Sequence, residues 1–396
     1  MRMRRLLLLL IATVLCCAAF FAARAFFFRG TACLQLRADA TSPPLPPPLQ
    51  ACAPAPPPRT AAPAAVFEGA PPALVFVHVG ETEHFFPAFL PATIRQAVRW
   101  NPRVHVYAVV PRAYIASAAG AGLRALGHSG FSESDEYWRA HVTIVELENV
   151  TAGALAKFRA DARLNVNEMG GFVRYSTVLG SVMAQFGLDE AFHMEIDNVL
   201  YVSLLDLLLA LRRLYGGLAA TALAYDRMTA GFFYVHRAAA LAKMLDFING
   251  APLPADKQND MYFLAAFAAH APEDLGMLPV APAASSRAYK KGEPDSPLVV
   301  GDKDAAAALG GFFDNAAHGQ WLGGVHDIHT QGVVVPHHEN GISVFWVGTL
   351  AYKWAVDPRA NLRRPYVRLH GENGEDAWRP VYTAHVHSKA IELFAS

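Results

Sequence analysis

The stretch from Ala73 to Gly80, Ala-Leu-Val-Phe-Val-His-Val-Gly, is a near-continuous apolar run rich in β-branched residues. A run of this length and composition is typical of a strand that is buried on both faces of a sheet. Apolar residues then recur at helical spacing from Phe89 to Val98, and Asn101-Pro102 is expected to end that helix. A strand followed by a helix predicts the start of an α/β fold.

Strand and helix patterns continue to alternate along the chain. The sequence predicts further strands at 104–110, 142–146, 191–195, 217–223 and 231–235, and helices at 113–126, 172–186, 204–214, 238–248 and 259–269. After Pro279 the chain is rich in Gly and Pro, with weaker strand candidates at 298–300, 332–335 and 343–347. We therefore expect a Rossmann-like, mostly parallel sheet flanked by helices, with a more irregular C-terminal region.

The N-terminus has the composition of a membrane anchor followed by a spacer. Arginines precede an apolar run within residues 6–28, which is long enough to cross a thin bilayer, since about 27 Å of hydrocarbon needs roughly 18 helical residues. A cleaved signal peptide is the alternative, because small residues near Ala25 resemble a cleavage site. The Pro- and Ala-rich segment 29–66 is expected to form an extended stem. We therefore predict a cytoplasmic tail at 1–5, a single-pass type II anchor, a stem and a globular domain at 67–396.

Charge and cysteine content restrict the partners of this domain. The 34 basic and 34 acidic residues cancel, which argues against a nucleic-acid-binding surface. All four cysteines precede the globular domain, so it is expected to have no internal disulfide. Cys33 and Cys52 in a lumenal stem could link two chains into a dimer. Asn149-Val150-Thr151 is a glycosylation sequon that would be usable in a lumen.

Two carboxylates lie at the end of the strand expected at 191–195: Glu195 is its last residue, and Asp197 follows two positions later. Residues i and i+2 of a strand point to the same side, so both side chains are expected to project into the cleft beyond the carboxyl end of the sheet. Two carboxylates with little else nearby suit Mn²⁺ or Mg²⁺, which complete their shells with water and phosphate oxygens. An ordinary turn is the alternative, because Asp and Asn favour strand ends.

A second group of metal-binding residue types is found at His385-Val386-His387-Ser388-Lys389. Alternation predicts that His385 and His387 share one face of an extended segment, and neutral imidazole is a good metal ligand. Two exposed histidines on an edge strand are the alternative. The run His337-His338-Glu339 is a weaker metal candidate, because adjacent residues of an extended chain point apart.

Together these features resemble a Golgi-type glycosyltransferase with the GT-A fold, over residues 70–396. The resemblance rests on the anchor, the stem, the α/β domain and the acid-x-acid motif after the fourth strand. It implies transfer of a hexose or pentose from a nucleotide-diphosphate sugar, with UDP expected, to a hydroxyl of a glycan or glycoprotein. It also implies Mn²⁺ or Mg²⁺ as the cofactor and a lumenal catalytic domain on the Golgi membrane. The alternatives are a catalytically inactive carbohydrate-binding protein and a metal-dependent nucleotide-sugar hydrolase.

The resemblance assigns roles to several residues. The acid pair and a C-terminal histidine hold the metal in this class, which implies Glu195, Asp197 and either His385 or His387 as ligands. Of the two histidines, His387 is slightly preferred. A nearby lysine holds the diphosphate, which implies Lys389. Glu195 could alternatively reach the ribose through water.

The resemblance also covers the donor pocket. Val79 and Gly80, after the first strand, resemble a nucleotide-binding segment. Gly231 belongs to the segment 229–233, which resembles the motif that lines the donor-sugar pocket, with Thr229 in place of the usual Asn. Arg174 could offer its guanidinium group to phosphate or lie on an exposed helix face.

Asp260 and Asp314 are the candidates for a base that deprotonates the acceptor. Asp260 begins a predicted helix, where a carboxylate could instead complement the helix dipole. Asp314 lies in the segment 313–324, which resembles a loop that meets the donor sugar or the acceptor and could also be an ordinary turn-rich connection.

Overall fold

The computed structural model describes residues 71–80, 86–128, 134–151, 172–224, 226–250, 257, 260–280, 303–326, 334–335, 343, 347–370 and 376–395. The chain divides into two units, Met1–Val66 and Phe67–Ser396, and every described residue belongs to the second. The predicted tail, anchor and stem, with Cys33 and Cys52, lie outside the described residues. No helix within the described ranges is long and apolar enough to cross a membrane.

The described residues form a series of strands interleaved with helices. The strands are β1 Ala73–Val77, β2 Val106–Val110, β3 Val142–Glu146, β4 Ala191–Met194, β5 Asn198–Leu200, β6 Leu218–Ala224, β7 Arg227–Val235, β8 Leu275–Leu278, β9 Val325–His326, β10 Val334–Val335, β11 Tyr352–Asp357, β12 Leu362–His370, β13 Asp376–Pro380 and β14 Thr383–His385. The α-helices are Leu90–Trp100, Arg112–Ala116, Ala121–His128, Ser134–His141, Leu147–Thr151, Phe172–Phe186, Leu204–Leu214, Ala238–Gly250, Asp260–His270, Lys303–Leu309 and Ala317–Gly323. Two short 3₁₀-helices occupy Val347–Thr349 and Ile391–Leu393.

The main sheet has seven strands in the order β3-β2-β1-β4-β7-β6-β8. β1 pairs in parallel with β2 and β4, β2 pairs in parallel with β3, and β6 pairs in parallel with β8. Within this sheet β7 alone runs antiparallel, against both β4 and β6. The predicted class, a mostly parallel α/β sheet flanked by helices, is confirmed.

Successive side chains of β1 belong to two different hydrophobic cores, one on each face of the sheet. Phe76 belongs to the core that includes apolar residues of the helix Leu90–Trp100, and Val75 belongs to the core that includes residues of Phe172–Phe186. Both side chains are fully buried, and burial of such a side chain contributes about 1.5–3 kcal/mol. Helices therefore cover both faces, which explains why the β1 sequence is apolar throughout.

One predicted helix is interrupted. Instead of a single helix at 113–126, the chain forms Arg112–Ala116 and Ala121–His128. At Gly120 the backbone passes so close to the carbonyl oxygen of Tyr114 that a Cβ there would lie 2.0 Å from it. The single-helix prediction is wrong because the chain turns tightly at this glycine, where a side chain would not fit.

The C-terminal region contains an antiparallel three-stranded sheet, β11-β12-β13, that the sequence analysis missed. Its central strand carries Pro365, which argues against a strand because proline cannot donate a ladder hydrogen bond. Pro365 lies opposite Trp354 of β11, and pairing with β13 begins only at Tyr366. The proline therefore precedes the paired part of the second ladder.

The weaker strand candidates have mixed outcomes. β10 falls within the candidate at 332–335 and pairs with β9. Val347, the last residue of the candidate at 343–347, instead begins a 3₁₀-helix. The candidate at 298–300 lies outside the described residues.

His193 of β4 is a buried histidine that is expected to make the fold sensitive to acid. Its Nδ1 donates a hydrogen bond to the carbonyl of Val75 over 2.9 Å, and burial lowers its pKa from 6.5 to about 4. Between these values the unfolded chain binds a proton and the folded chain does not, so stability falls as the pH falls. We expect the free energy of unfolding to drop by about 2 kcal/mol from this group between pH 7 and pH 4.5.

Denaturant titrations at the two pH values test this expectation. His193→Gln should lose this part of the pH dependence, whereas His270→Gln, at an exposed histidine, should keep it. Equal pH dependence in the wild type and the His193 variant would contradict the role assigned to His193.

Candidate active site

The acid pair lies in a turn that follows β4. β4 ends at Met194, and the N–H of Asn198 donates to the carbonyl of Glu195 over 3.1 Å, which closes the turn. The prediction that Glu195 and Asp197 share a strand face is therefore wrong, because strand pairing stops before Glu195. The turn nevertheless keeps both residues at the carboxyl end of β4, which lies between β1 and β7 in the main sheet.

β5 and β14 bring the C-terminal histidine segment to this turn. The two strands pair antiparallel, with His385 opposite Asn198. The N–H of Val386 donates to the carbonyl of Asp197 over 2.9 Å. This two-stranded ladder lies outside the main sheet, and it joins an Asp and a His that are 188 positions apart.

Glu195, Asp197 and His385 form a group of metal-ligand side chains. One ligand atom from each residue lies within 4.8 Å of the other two. Nε2 of His385 lies 3.0 Å from Oδ2 of Asp197, and its Nδ1 lies 3.6 Å from Oε2 of Glu195. This buried Nδ1 has no hydrogen-bond partner in the described part of the chain. Two carboxylates and an imidazole suit Mn²⁺ or Mg²⁺, so the donor set fits the predicted cation.

Lys389 adds a positive charge at the edge of this group. Its ammonium forms an ion pair with Oδ2 of Asp197, the same oxygen that His385 contacts. The Lys389 side chain is 43% exposed, whereas that of Asp197 is 11% exposed, so the ammonium reaches the group from the solvent side. The backbone of Lys389 has a φ of 62°, a left-handed conformation that is uncommon for residues other than glycine and often marks a functional site.

The charged groups shift one another's pKa. Burial, together with the charges of Asp197 and Asp260, raises the pKa of Glu195 to about 7 against the opposing charges of His385 and Lys389. Burial also disfavours the ionised form of Asp197, but the charges and hydrogen bonds of His385 and Lys389 hold its pKa well below its usual value. Burial would lower the pKa of His385, yet the charge and hydrogen bond of Asp197 raise it to about 9. Without a cation these effects favour the protonated form of His385 and the ionised form of Asp197. A ligating imidazole must be neutral, so binding of a cation to His385 would release this proton.

Asp314 has the contacts of a residue that positions His385. Its carboxylate, 1% exposed, accepts hydrogen bonds from the backbone N–H groups of His385 over 2.6 Å, Gly319 over 2.7 Å and His318 over 2.8 Å. These bonds tie the end of β14 to the start of the helix Ala317–Gly323. Both carboxylate oxygens of Asp314, one of the two predicted bases, thus accept hydrogen bonds from backbone N–H groups.

Gly231 of β7 lies directly against the turn that carries the acid pair. Its carbonyl accepts hydrogen bonds from the N–H of Glu195 over 3.0 Å and from the side-chain amide of Asn198 over 2.8 Å. A Cβ at this position would lie 2.9 Å from Nδ2 of Asn198 and 3.7 Å from both Oε2 of Glu195 and Nδ1 of His385. The close approach therefore favours glycine. Asn198, which no sequence pattern marked as part of the site, is fully buried.

Replacement of Gly231 by alanine is expected to disturb the metal-ligand group. The added methyl group must push the Asn198 amide aside, which should lower the free energy of unfolding by about 1–3 kcal/mol. We also expect Mn²⁺ affinity, measured by titration calorimetry, to fall about tenfold. Gly216→Ala is the matched control, since a Cβ at Gly216 would have no neighbour within 4 Å. Unchanged Mn²⁺ affinity in the Gly231 variant would contradict the expected coupling.

The other predicted binding residues lie around this group or outside the described residues. Val79 is buried and, with Gly80, follows β1, the strand that pairs with β4. His387 stacks on His385 with ring centroids 4.3 Å apart, so the two rings lie on the same side of their segment. Asp260 begins the helix Asp260–His270, and burial raises its pKa.

Thr229, which replaces the usual asparagine of the motif, has a local contact. Its Oγ1 accepts a hydrogen bond from the N–H of Gly231 over 3.2 Å. Arg174 belongs to the helix Phe172–Phe186, but its side chain lies outside the described part of the structure, as does the segment His337-His338-Glu339.

Comparisons with known proteins find matches among solved structures. No family model matches the chain, and a search of curated proteins finds no match. The apo form of mouse xyloside xylosyltransferase 1 is 12% identical with a TM-score of 0.35, and the match covers 52% of this chain and 85% of that chain. The galactosyltransferase LgtC in complex with donor and acceptor sugar analogs is 11% identical with a TM-score of 0.30, covering 52% and 73%. A UDP-glucose pyrophosphorylase complexed with UDP-glucose is 10% identical with a TM-score of 0.30, covering 50% and 87%. Glycosyltransferases are thus among the solved structures that this chain matches.

Proposed function

We propose that this chain is a cation-dependent glycosyltransferase that moves a sugar from a nucleotide diphosphate, expected to be UDP, to a hydroxyl of a glycan or glycoprotein. The observation that supports this function best is the group of Glu195, Asp197 and His385, with Lys389 on its solvent side. This group follows β4, and ligands of open α/β sheets bind beyond the carboxyl ends of the strands. A bound Mn²⁺ or Mg²⁺ would neutralise the charge that develops on the leaving diphosphate.

The side chains of the group are proposed to bind different parts of the cation and donor complex. Asp197, Glu195 and His385 would hold the cation. His385 and Lys389 both contact Oδ2 of Asp197, so this oxygen is available to a cation only when these contacts are given up. Lys389 is then free to pair with a phosphate oxygen, and its exposure allows this movement. Val79 and Gly80, which follow the neighbouring strand, would meet the nucleotide.

Asp260 is the residue that we propose as the acceptor's base. The helix that Asp260 begins packs against β7, the strand of Gly231, and the charge of Asp260 raises the pKa of Glu195. Burial raises the pKa of Asp260 itself, although backbone hydrogen bonds oppose this rise. A carboxylate with a raised pKa accepts a proton from a hydroxyl more readily than an ordinary one. Asp314, with its carboxylate engaged by the backbone, is assigned to positioning.

A nucleotide-release assay tests the proposed function. Purified full-length protein is incubated with a panel of nucleotide sugars, with Mn²⁺ or with EDTA, in the presence and absence of glycan acceptors. We expect nucleotide release that needs the cation and rises with a suitable acceptor, together with a glycosylated product detected by mass spectrometry. Cation-dependent release that ignores every acceptor would favour a nucleotide-sugar hydrolase. Donor or glycan binding without turnover would favour a carbohydrate-binding protein.

A further inference from the structure

We infer that a cavity of this domain, apart from the metal-ligand group, binds an acidic saccharide, that is, a sugar chain carrying carboxylate or sulfate groups. The cavity has a volume of about 730 Å³, which lies in the usual range for small-molecule sites. Its walls come from the end of the helix Leu90–Trp100, the start of the helix Leu204–Leu214, the turn between β11 and β12, and β12 itself. None of the metal-ligand side chains described above lines it.

The walls of this cavity carry more positive than negative charge. Four arginines and two aspartates line it. One arginine, Arg364, is already paired, with its Nη2 2.5 Å from Oδ2 of Asp357. The other oxygen of Asp357 accepts the backbone N–H groups of Arg359 and Ala360. The charge of Asp357 is therefore balanced within the wall.

Two of the remaining guanidinium groups are available to a ligand. Arg103 and Arg359 are exposed, and neither forms an ion pair with another described residue. They line one cavity from different elements, the loop after the helix Leu90–Trp100 and the turn before β12. Guanidinium groups bind carboxylate and sulfate through paired hydrogen bonds, which is the chemistry expected for an acidic ligand.

The rest of the lining favours a sugar over a simple anion. The guanidinium of Arg364 lies over the rings of Trp100 and Tyr366, 5.7 and 5.1 Å from their centroids, so these contacts hold the charged wall in place. Asp206 lines the same cavity, and its carboxylate would repel a bare anion but accept hydrogen bonds from hydroxyl groups. A ligand that carries both oxyanions and hydroxyl donors satisfies both kinds of side chain.

The ladder of β5 and β14 separates this cavity from the metal-ligand group. The group lies at the Asn198 and His385 end of the ladder. At the other end the N–H of Tyr201 donates to the carbonyl of Tyr382 over 2.8 Å, and Tyr382 lines the cavity. Since a strand rises about 3.3 Å per residue, the two sites are roughly 10 Å apart along the ladder. The cavity is therefore separate from the site of the proposed transfer reaction.

Binding measurements with defined oligosaccharides test this inference. The probes are a heparin hexasaccharide, a hyaluronan hexasaccharide, neutral chitohexaose and inorganic sulfate, titrated into the full-length protein at low salt. The double variant Arg103→Gln/Arg359→Gln should bind the acidic hexasaccharides about tenfold more weakly, as expected when two charge-assisted contacts are lost. Arg95→Gln, at an exposed arginine of the helix Leu90–Trp100 that does not line the cavity, should bind them as the wild type does.

Several outcomes would overturn the inference. These are wild-type affinity in the double variant, equal weakening in the Arg95 variant, equally tight binding of chitohexaose, and full displacement of the hexasaccharides by an equal concentration of sulfate. Mn²⁺ affinity should be unchanged in the double variant, which shows that the domain is folded and that the two sites are separate. The two single variants, each expected to weaken binding partially, keep the test valid if the double variant does not fold.

Discussion

Replacement of Asp197 by asparagine is expected to lower kcat/KM for sugar transfer about 100- to 1,000-fold, as the loss of one charge-stabilising group in an active site commonly does. Asparagine keeps the shape of the side chain but removes the negative charge that a cation requires. The substitution also leaves the His385 and Lys389 charges without the carboxylate oxygen that both contact. Initial rates over a range of donor concentrations give kcat/KM, a Mn²⁺ titration gives the cation affinity, and both quantities should fall strongly.

A neighbouring aspartate offers a matched control for this variant. Asp189 is exposed and lies just before β4, so Asp189→Asn changes the net charge by the same amount in the same part of the chain. We expect its rates and Mn²⁺ affinity to equal those of the wild type. If Asp197→Asn kept activity within a few-fold of the wild type, the metal-ligand role of the acid pair would be wrong.

Replacement of Asp314 by alanine is expected to weaken both the fold and the metal-ligand group. Three buried backbone N–H groups, of His318, Gly319 and His385, lose their acceptor, and each unsatisfied group costs about 1–3 kcal/mol. We expect the free energy of unfolding to fall by at least about 3 kcal/mol, measured by denaturant titration. Mn²⁺ affinity should fall about 10- to 100-fold, because the backbone of His385 is no longer held.

The Mn²⁺ titration also separates the two roles considered for Asp314. A base that acts only on the acceptor would leave Mn²⁺ affinity unchanged when acceptor is absent, whereas a positioning residue would not. Asp314→Asn keeps the shape and one acceptor oxygen, so it should lie between alanine and the wild type in both measurements. Asp246→Ala, at an exposed aspartate of the helix Ala238–Gly250, controls for the loss of charge. Wild-type Mn²⁺ affinity in both Asp314 variants would contradict the positioning role.

Hydrophobic patterning predicted the parallel part of the sheet well. The β1 sequence is apolar at every position because both faces are covered, and this is the pattern from which the fold class was inferred. The direction of each strand could not be predicted in this way, because no local pattern distinguishes a parallel strand from an antiparallel one. The β6 and β7 hairpin therefore emerged only from the structure, although both strands were expected near their observed positions.

The acid pair shows how a correct residue choice can follow from the wrong geometry. Alternation along a strand suggested Glu195 and Asp197, yet they are brought together by a turn and by the partner strand β14. The pairing of β5 with β14 is a tertiary contact between distant segments, and its register cannot be inferred from either segment alone. The same holds for Gly231 and Asp314, whose contacts become visible only when three distant segments meet.

The ladder between β5 and β14 has a consequence for the order in which the protein becomes active. Its closure joins Asp197 to a histidine 188 positions later in the chain, and contacts of such long sequence separation form slowly because loop closure costs chain entropy. The main sheet up to β7 uses residues that precede this closure and can assemble without it. During synthesis the domain should therefore pass through a state with a formed sheet and no cation affinity, so that competence for metal is acquired as one of the last steps of folding.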